Sequence, residues 1–165
     1  MKNPTSKLNP NEEAYVHYAE CINSLNRAWQ ILVELRAIGR KTAIHAAAFN
    51  FALIEYAKPY TRSDGTFKRG RNAYKLPPPN LSAELLALHQ QILVLRDQVL
   101  AHTDLTLKEA QVYIASHAGR SLVTVLSNIL PALPDSEDVI KLIEHTLDQM
   151  YVEVERLKNT LRPNA

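Results

Sequence analysis

The sequence is poor in the residues on which several classes of protein depend. Its one cysteine, Cys21, cannot form an internal disulfide, which is typical of proteins from a reducing compartment. Its four glycines form no dinucleotide-binding or phosphate-binding loop. No Glu-x-x-His pair occurs, which argues against the di-iron site of some helical bundles, and we expect neither a metal nor a cofactor. No apolar run approaches the roughly 20 residues that cross a bilayer, and residues 1–9 do not resemble a signal peptide. We therefore expect a soluble cytoplasmic protein without a membrane partner.

Helical periodicity dominates the rest of the chain. Asn9-Pro10 is a typical helix start, and apolar residues then recur every three or four positions, which predicts a helix to about Ile38. A second helix is predicted over 41–57, and because it is apolar on nearly every side we expect it in the centre of a bundle. Similar patterns predict a third helix from about residue 80 or 82 and a last one after Asp135-Ser136.

The segment between the last two helices is ambiguous. Residues 111–115 and 121–126 are rich in Val, Ile, Tyr and Thr, which favours a β-hairpin near residues 110–127, although a helix through Ile129 is the alternative. We predict one mainly α domain over residues 1–165, a bundle of four or more helices with a basic loop inserted at 58–80.

Positive charge is concentrated in that loop, although the whole chain carries a net charge of only +2. Residues 58–79 contain six lysines or arginines and one aspartate, with aromatic residues between them. This combination is typical of proteins that bind single-stranded nucleic acid, in which the cations contact the phosphate backbone and the aromatic rings stack on bases. A mobile, solvated loop is the alternative. The predicted RNA-binding residues are Arg62, Lys68, Arg69, Arg71, Lys75, Tyr60 and Tyr74.

Arg96 and His102 are the candidate catalytic residues. Their spacing places them about 120° apart around a helix, on either side of the seam that contains Ile92 and Val99. Histidine can donate or accept a proton near neutral pH, and the arginine guanidinium matches phosphate oxygens. The pair would suit acid–base cleavage of a phosphodiester. The structural alternative is a histidine at the edge of the core and an arginine in an ion pair.

The segment Arg96-x5-His102, with Asp97 after the arginine and Leu-Ala-His-Thr-Asp at the helix end, resembles the Arg-x4-6-His motif of HEPN domains. These are small helical bundles of prokaryotic toxin–antitoxin and abortive-infection systems. The resemblance implies a homodimeric, metal-independent endoribonuclease acting in defence or stress, with an antitoxin as a candidate protein partner. It also implies that His102 moves the proton of the ribose 2′-hydroxyl, Arg96 binds the scissile phosphate and Asp97 orients one of them.

One departure limits the resemblance. HEPN toxins paired with nucleotidyltransferase antitoxins often have a tyrosine two residues after the histidine, whereas this chain has Asp104. Regulation through that tyrosine is therefore not implied. One rival hypothesis is a catalytically silent HEPN-like module that binds RNA, nucleotide or a protein. Another is a bundle that only holds an oligomer together, with Arg96 and His102 in structural roles.

Overall fold

Four α-helices and one β-hairpin form the regular structure of residues 8–38, 42–97, 108–117, 120–129 and 133–161, the parts of the chain that the computed structural model describes. The helices are α1 (Pro10–Leu35), α2 (Ala43–Ala57), α3 (Ala83–Leu95) and α4 (Ser136–Leu161). The strands β1 (Lys108–His117) and β2 (Arg120–Ile129) pair antiparallel, with Lys108 opposite Ile129 and His117 opposite Arg120. The prediction of a mainly α bundle is confirmed. Of the two predictions for the segment between the last two helices, the hairpin is the one observed, at residues 108–117 and 120–129.

Side-chain caps fix where the helices begin. The Asn9 side chain accepts hydrogen bonds from the backbone N–H groups of Asn11 and Glu12, while the Glu12 carboxylate accepts one from the Asn9 N–H. This capping box contributes about 1 kcal/mol to helix stability. The side chains of Thr42 and Ser82 cap α2 and α3 by accepting hydrogen bonds from the N–H groups of His45 and Leu85. The α1 helix ends at Leu35 rather than at the predicted Ile38, and residues 36–38 form turns.

The hydrophobic core lies around α1, which packs against both α2 and α4, while α3 contacts α2 and α4. The prediction that α2 lies in the centre of the bundle is wrong. The Ile44 side chain is 72% exposed and Phe51 is 48% exposed, so only one side of α2 is covered. No helix within the described ranges is long and apolar enough to cross a membrane.

The connection between α2 and α3 is folded back on itself. It contains two short 3-10 helices, Lys58–Tyr60 and Gly70–Asn72. Ser63 and Tyr74 exchange two backbone hydrogen bonds, of 2.9 and 2.8 Å, and the Leu76 N–H donates to the Pro59 carbonyl at 2.9 Å. These bonds give residues 58–80 a defined structure, and we call this segment the basic loop.

Candidate functional site

The buried residues of α3 are His89, Ile92 and Leu95, and Arg96 follows directly after the end of the helix. His89 and Ile92 are buried in the core, whereas the Arg96 side chain is 33% exposed. The backbone at Arg96 and Asp97 widens into a π-helical turn, a feature that is frequent at functional sites. Arg96 therefore lies where the core meets the surface.

Asp97 holds the Arg96 guanidinium. The Asp97 Oδ1 atom accepts a hydrogen bond from Arg96 Nη1 at 2.6 Å, and the Asp97 carboxylate is exposed. A guanidinium has five N–H donors, so this pairing leaves capacity for a phosphate. The prediction that Asp97 orients a catalytic residue is compatible with this contact. His102, the other predicted catalytic residue, lies outside the described residues.

A polar cluster is buried two helical turns before Arg96. The Tyr56 hydroxyl and His89 Nδ1 share a hydrogen bond of 2.8 Å, and the Tyr60 ring meets the His89 ring edge-on, with 4.6 Å between centroids. Burial lowers the pKa of His89 below its ordinary value of 6.5, and burial raises the pKa of Tyr56 and of Tyr60 above the usual range. All three side chains are therefore neutral near pH 7. The cluster links α2, α3 and the first turn of the basic loop.

A second buried group uses one of the loop's cations. The Glu55 carboxylate is only 1% exposed and lies 3.1 Å from the Arg27 guanidinium, while its other oxygen contacts Lys58 Nζ. A buried carboxylate is tolerated when cations compensate for its lost hydration. Lys58 is therefore occupied by an intramolecular partner, although it belongs to the basic segment of the sequence.

The basic loop is anchored to α1 by Glu13. This buried carboxylate accepts hydrogen bonds from the backbone N–H groups of Thr66 (2.6 Å) and Phe67 (3.0 Å) and from the Tyr74 hydroxyl (3.0 Å). Burial alone would raise the pKa of Glu13, but the hydrogen bonds from Phe67, Thr66 and Tyr74 outweigh it and hold the pKa below the ordinary 4.5. A Cβ atom at Gly65 would lie 2.5 Å from Glu13 Oε1, so the close approach requires glycine.

The five predicted RNA-binding cations of the loop are all exposed, and three of them have intramolecular contacts. Arg62 lies 3.7 Å from Asp64, and Arg69 Nε donates to the Gly65 carbonyl at 2.6 Å. Lys68 Nζ lies 4.9 Å from the centroid of the Tyr74 ring. These contacts hold Arg62, Lys68 and Arg69 near the loop surface, where a phosphate backbone can reach them. The remaining two cations are Arg71 and Lys75.

The predicted stacking of bases on Tyr60 and Tyr74 needs correction. Tyr60 is 4% exposed because it packs into the Tyr56–His89 cluster, and Tyr74 is 8% exposed because Glu13 holds its hydroxyl. The imidazole of His17 also stacks on the Tyr74 ring, with 4.4 Å between centroids. Neither tyrosine therefore presents an open ring face to a base.

Four of the predicted RNA-binding residues nevertheless meet at one cavity. Tyr60, Lys68, Tyr74 and Lys75 line a cleft between the basic loop, α1 and α4, which we call the loop cleft. Arg96 and Asp97 are not among its lining residues. The structure therefore has two candidate sites, the end of α3 and the loop cleft.

Sequence reasoning missed Glu13 as an anchor of the basic loop and His17 as the ring that stacks on Tyr74. The two residues are four positions apart on one face of α1, which the helical period predicts, but their partner Tyr74 is far away in the sequence. Among the described residues, no three His, Cys, Asp or Glu side chains are grouped closely enough to hold a metal ion.

Comparison of the chain with models of protein families, with curated proteins and with solved structures found no match.

Proposed function

We propose that this chain is a metal-independent endoribonuclease of HEPN type that acts in the cytoplasm as a homodimer, in defence or stress response. The observation that carries the proposal is the position of Arg96. Its side chain comes directly after buried Leu95, is partly exposed and is held by Asp97 at 2.6 Å. A positioned guanidinium stabilises the additional negative charge that develops on a phosphate during cleavage, because it needs little reorganisation in the transition state.

In the proposed reaction, neutral His102 accepts the proton of the ribose 2′-hydroxyl. The 2′-oxygen then attacks the adjacent phosphorus, and the bond from phosphorus to the 5′-oxygen breaks. A protonated imidazole returns a proton to that 5′-oxygen, so the products are a 2′,3′-cyclic phosphate and a 5′-hydroxyl. Arg96 binds the non-bridging oxygens throughout, and a dimer supplies two copies of the motif to one site.

The exposed apolar residues of α2 and α3 support the homodimer. Ile44 and Phe51 on α2 and Val94 on α3 are large apolar side chains that remain exposed in the single chain. Such surfaces mark interaction sites more often than isolated apolar residues do, and a two-fold contact between identical surfaces is the commonest oligomer type. Because α3 contacts α2, a dimer formed through these residues would have α3 of each copy near the interface.

Cleavage of total RNA in the presence of EDTA tests the proposal. We expect wild-type protein to cleave and His102→Ala to lose roughly 100- to 10,000-fold of the rate, the usual contribution of acid–base catalysis. Arg96→Lys should also be severely impaired, since lysine keeps the charge but loses the planar fork. Arg36→Lys is the matched control, because Arg36 is likewise paired with a carboxylate, that of Glu137 at 2.6 Å. Cleavage that requires magnesium, or that survives His102→Ala, would contradict the mechanism.

The hairpin favours a second candidate function, a catalytically silent module that binds a protein such as an antitoxin. Ile114 and Val123 are directly paired across the two strands and both are exposed, as is Val112 on the same side of β1. A two-stranded hairpin is marginally stable in water unless something covers it. Absence of RNA cleavage by the wild type, with loss of a stable protein complex in an Ile114→Thr/Val123→Thr variant, would favour this function.

A further inference from the structure

The loop cleft is large enough for a small organic molecule. Its volume is about 540 Å³, and it is open to solvent between α1, α4 and the basic loop. Sites for small molecules and cofactors typically have volumes of roughly 300–1,000 Å³. A single inorganic ion would fill only a small part of this space.

The charge of the loop cleft favours an anion. Lys68 and Lys75 both line it. Glu153 of α4 also lines it, but its carboxylate accepts hydrogen bonds from Arg156 at 2.9 and 2.6 Å, which balances its charge. Burial and the neighbouring Lys68 lower the pKa of His17, so its imidazole is neutral near pH 7. Burial and Glu153 also raise the pKa of Tyr18, the other titratable side chain of α1 at the cleft, to about 12, so it is uncharged. The two lysines therefore determine the sign of the local potential.

The rest of the lining combines an apolar wall with a buried hydroxyl. Leu76 and the prolines at 77–79 form one side of the cleft, and Met150 and Leu157 of α4 also line it. Tyr60 lines the cleft as well, and its buried hydroxyl makes no hydrogen bond of ordinary geometry among the described residues. Burial raises the pKa of Tyr60, and the nearby hydroxyl groups of Thr146 and Tyr56 lower it in part, although neither forms a hydrogen bond of ordinary geometry with it. Buried polar groups are rarely left unpaired, so a ligand with a polar edge would gain a hydrogen bond here.

We propose that the loop cleft binds a nucleoside phosphate, with the phosphate beside Lys68 and Lys75 and the base against the wall of prolines. The polar edge of the base then lies on the side of the cleft that Tyr60 lines, where a rotation of the ring would bring the buried hydroxyl to the base. Inorganic phosphate would use the lysines but leave the apolar wall uncovered, and a fatty acid would cover the wall but leave the hydroxyl unpaired. The nucleotide is either free or one unpaired residue of an RNA strand, since both present the same chemistry. The site does not depend on cleavage at Arg96 and His102.

Isothermal titration calorimetry of the full chain tests this site. The probes are the four nucleoside 5′-monophosphates, with the corresponding nucleosides and inorganic phosphate as controls. We expect at least one monophosphate to bind about tenfold more tightly than its nucleoside or than inorganic phosphate, because only the monophosphate uses both the lysines and the wall. Lys68→Ala/Lys75→Ala should weaken binding by about tenfold or more. Lys141→Ala is the matched control, because it removes an exposed cation of α4 that does not line the cleft.

A second variant, Tyr60→Phe, separates binding from folding. Removing an unpaired hydroxyl should leave the Tm unchanged or slightly higher, while the affinity for the monophosphate falls several-fold; unchanged affinity would overturn the role of Tyr60.

A single-stranded oligonucleotide probe shows whether the nucleotide is free or part of an RNA strand. If the oligonucleotide binds more tightly than the monophosphate, and Lys68→Ala/Lys75→Ala weakens its binding, the site belongs to RNA. If the oligonucleotide binds equally or more weakly, the site belongs to free nucleotide. The proposal is overturned if neither probe binds the wild type, or if binding survives the double substitution. His102→Ala should retain this binding whether or not the chain cleaves RNA, so the two proposals fail separately.

Discussion

Glu13 connects α1 to residues more than fifty positions later in the chain, which makes it a sharp test of how the basic loop is held. Glu13→Gln removes the charge and one strong acceptor, so the donors at Thr66, Phe67 and Tyr74 are no longer all satisfied. We expect a lower Tm and increased protease sensitivity near residue 66. Glu20→Gln, an exposed carboxylate on the same helix, is the control and should leave both unchanged. Equal behaviour of the two variants would show that Glu13 does not anchor the loop.

The contribution of Glu13 should also depend on pH. Its pKa is lower in the folded chain than the ordinary 4.5, so the unfolded chain binds more protons as the medium becomes acidic. Stabilisation by Glu13 is therefore present above about pH 4.5 and is lost as the pH falls through the folded-state pKa. The difference in Tm between the wild type and Glu13→Gln should accordingly shrink in acid.

His89 predicts a second effect, at a higher pH. Burial lowers its pKa below 6.5, so the unfolded chain binds an additional proton below that value, and stability should decline as the pH falls below about 6.5. Tyr56→Phe removes the 2.8 Å hydrogen bond and should cost about 1–3 kcal/mol of unfolding free energy, because His89 is left without its partner. In urea denaturation, His89→Leu should reduce the decline between pH 6.5 and 5, and the part that remains should belong to His17, whose pKa burial and Lys68 also lower. An undiminished decline would assign it to a group other than His89.

Local residue chemistry was predictable where the partners are close in sequence. The cap at Asn9 and the ion pair of Arg96 with Asp97 both join residues one to three positions apart. Burial of Tyr60 and Tyr74 was not predictable, because the rings are covered by α1 and α3 residues that the sequence places far away. An aromatic residue in a basic, proline-rich segment has the same pattern whether it binds a base or anchors the segment.

At the scale of elements, the basic loop should determine the electrostatic part of RNA affinity. The triple substitution Lys68→Glu/Arg69→Glu/Arg71→Glu should weaken RNA binding. It should also make the plot of log binding constant against log salt concentration less steep, by up to about 0.7 for each phosphate of a single strand that the loop no longer neutralises. The matched control reverses three cations elsewhere, Arg36, Lys141 and Lys158, each of which is paired with a carboxylate. Filter binding over a range of salt concentrations measures both quantities. An equal effect in the control would show that only net charge matters.

The helices were predictable as elements because caps and apolar periodicity are local signals. The placement of the helices in the bundle was less predictable. The apolar sequence of α2 indicated a central helix, but periodicity does not say whether a second apolar side is covered by the same chain or left exposed, as Ile44 and Phe51 are. For the hairpin, β-branched residues favoured strands without excluding a helix, since pairing between residues 108–117 and 120–129 is not a local property.

At the scale of the whole molecule, the two candidate functional sites lie on different parts of one bundle. The end of α3 holds Arg96 at the surface, while the loop cleft is formed by α1, α4 and the basic loop. Sequence reasoning identified most of the cations in both places, because charge and motif are visible in the sequence. It did not reveal that Lys68 and Lys75 share a cavity with α4, because that arrangement depends on how the helices pack.

The exposed side of α2 provides the test of assembly. If the proposed dimer uses this surface, Ile44→Glu/Phe51→Glu should give a monomer at concentrations on the order of tens of micromolar, because each substitution would bury an unpaired charge in the interface. RNA cleavage should disappear together with the dimer, since the proposed site needs both copies of the motif, while the Tm remains near that of the wild type. Val152→Glu is the control, because Val152 is an equally exposed apolar residue on α4. Sedimentation velocity and the cleavage assay, applied to the same preparations, separate the outcomes. A monomeric wild type that still cleaves RNA would exclude a site shared between two copies of the motif. A dimer that survives the α2 substitutions would place the interface elsewhere, and the exposed face of the hairpin is the next surface to test.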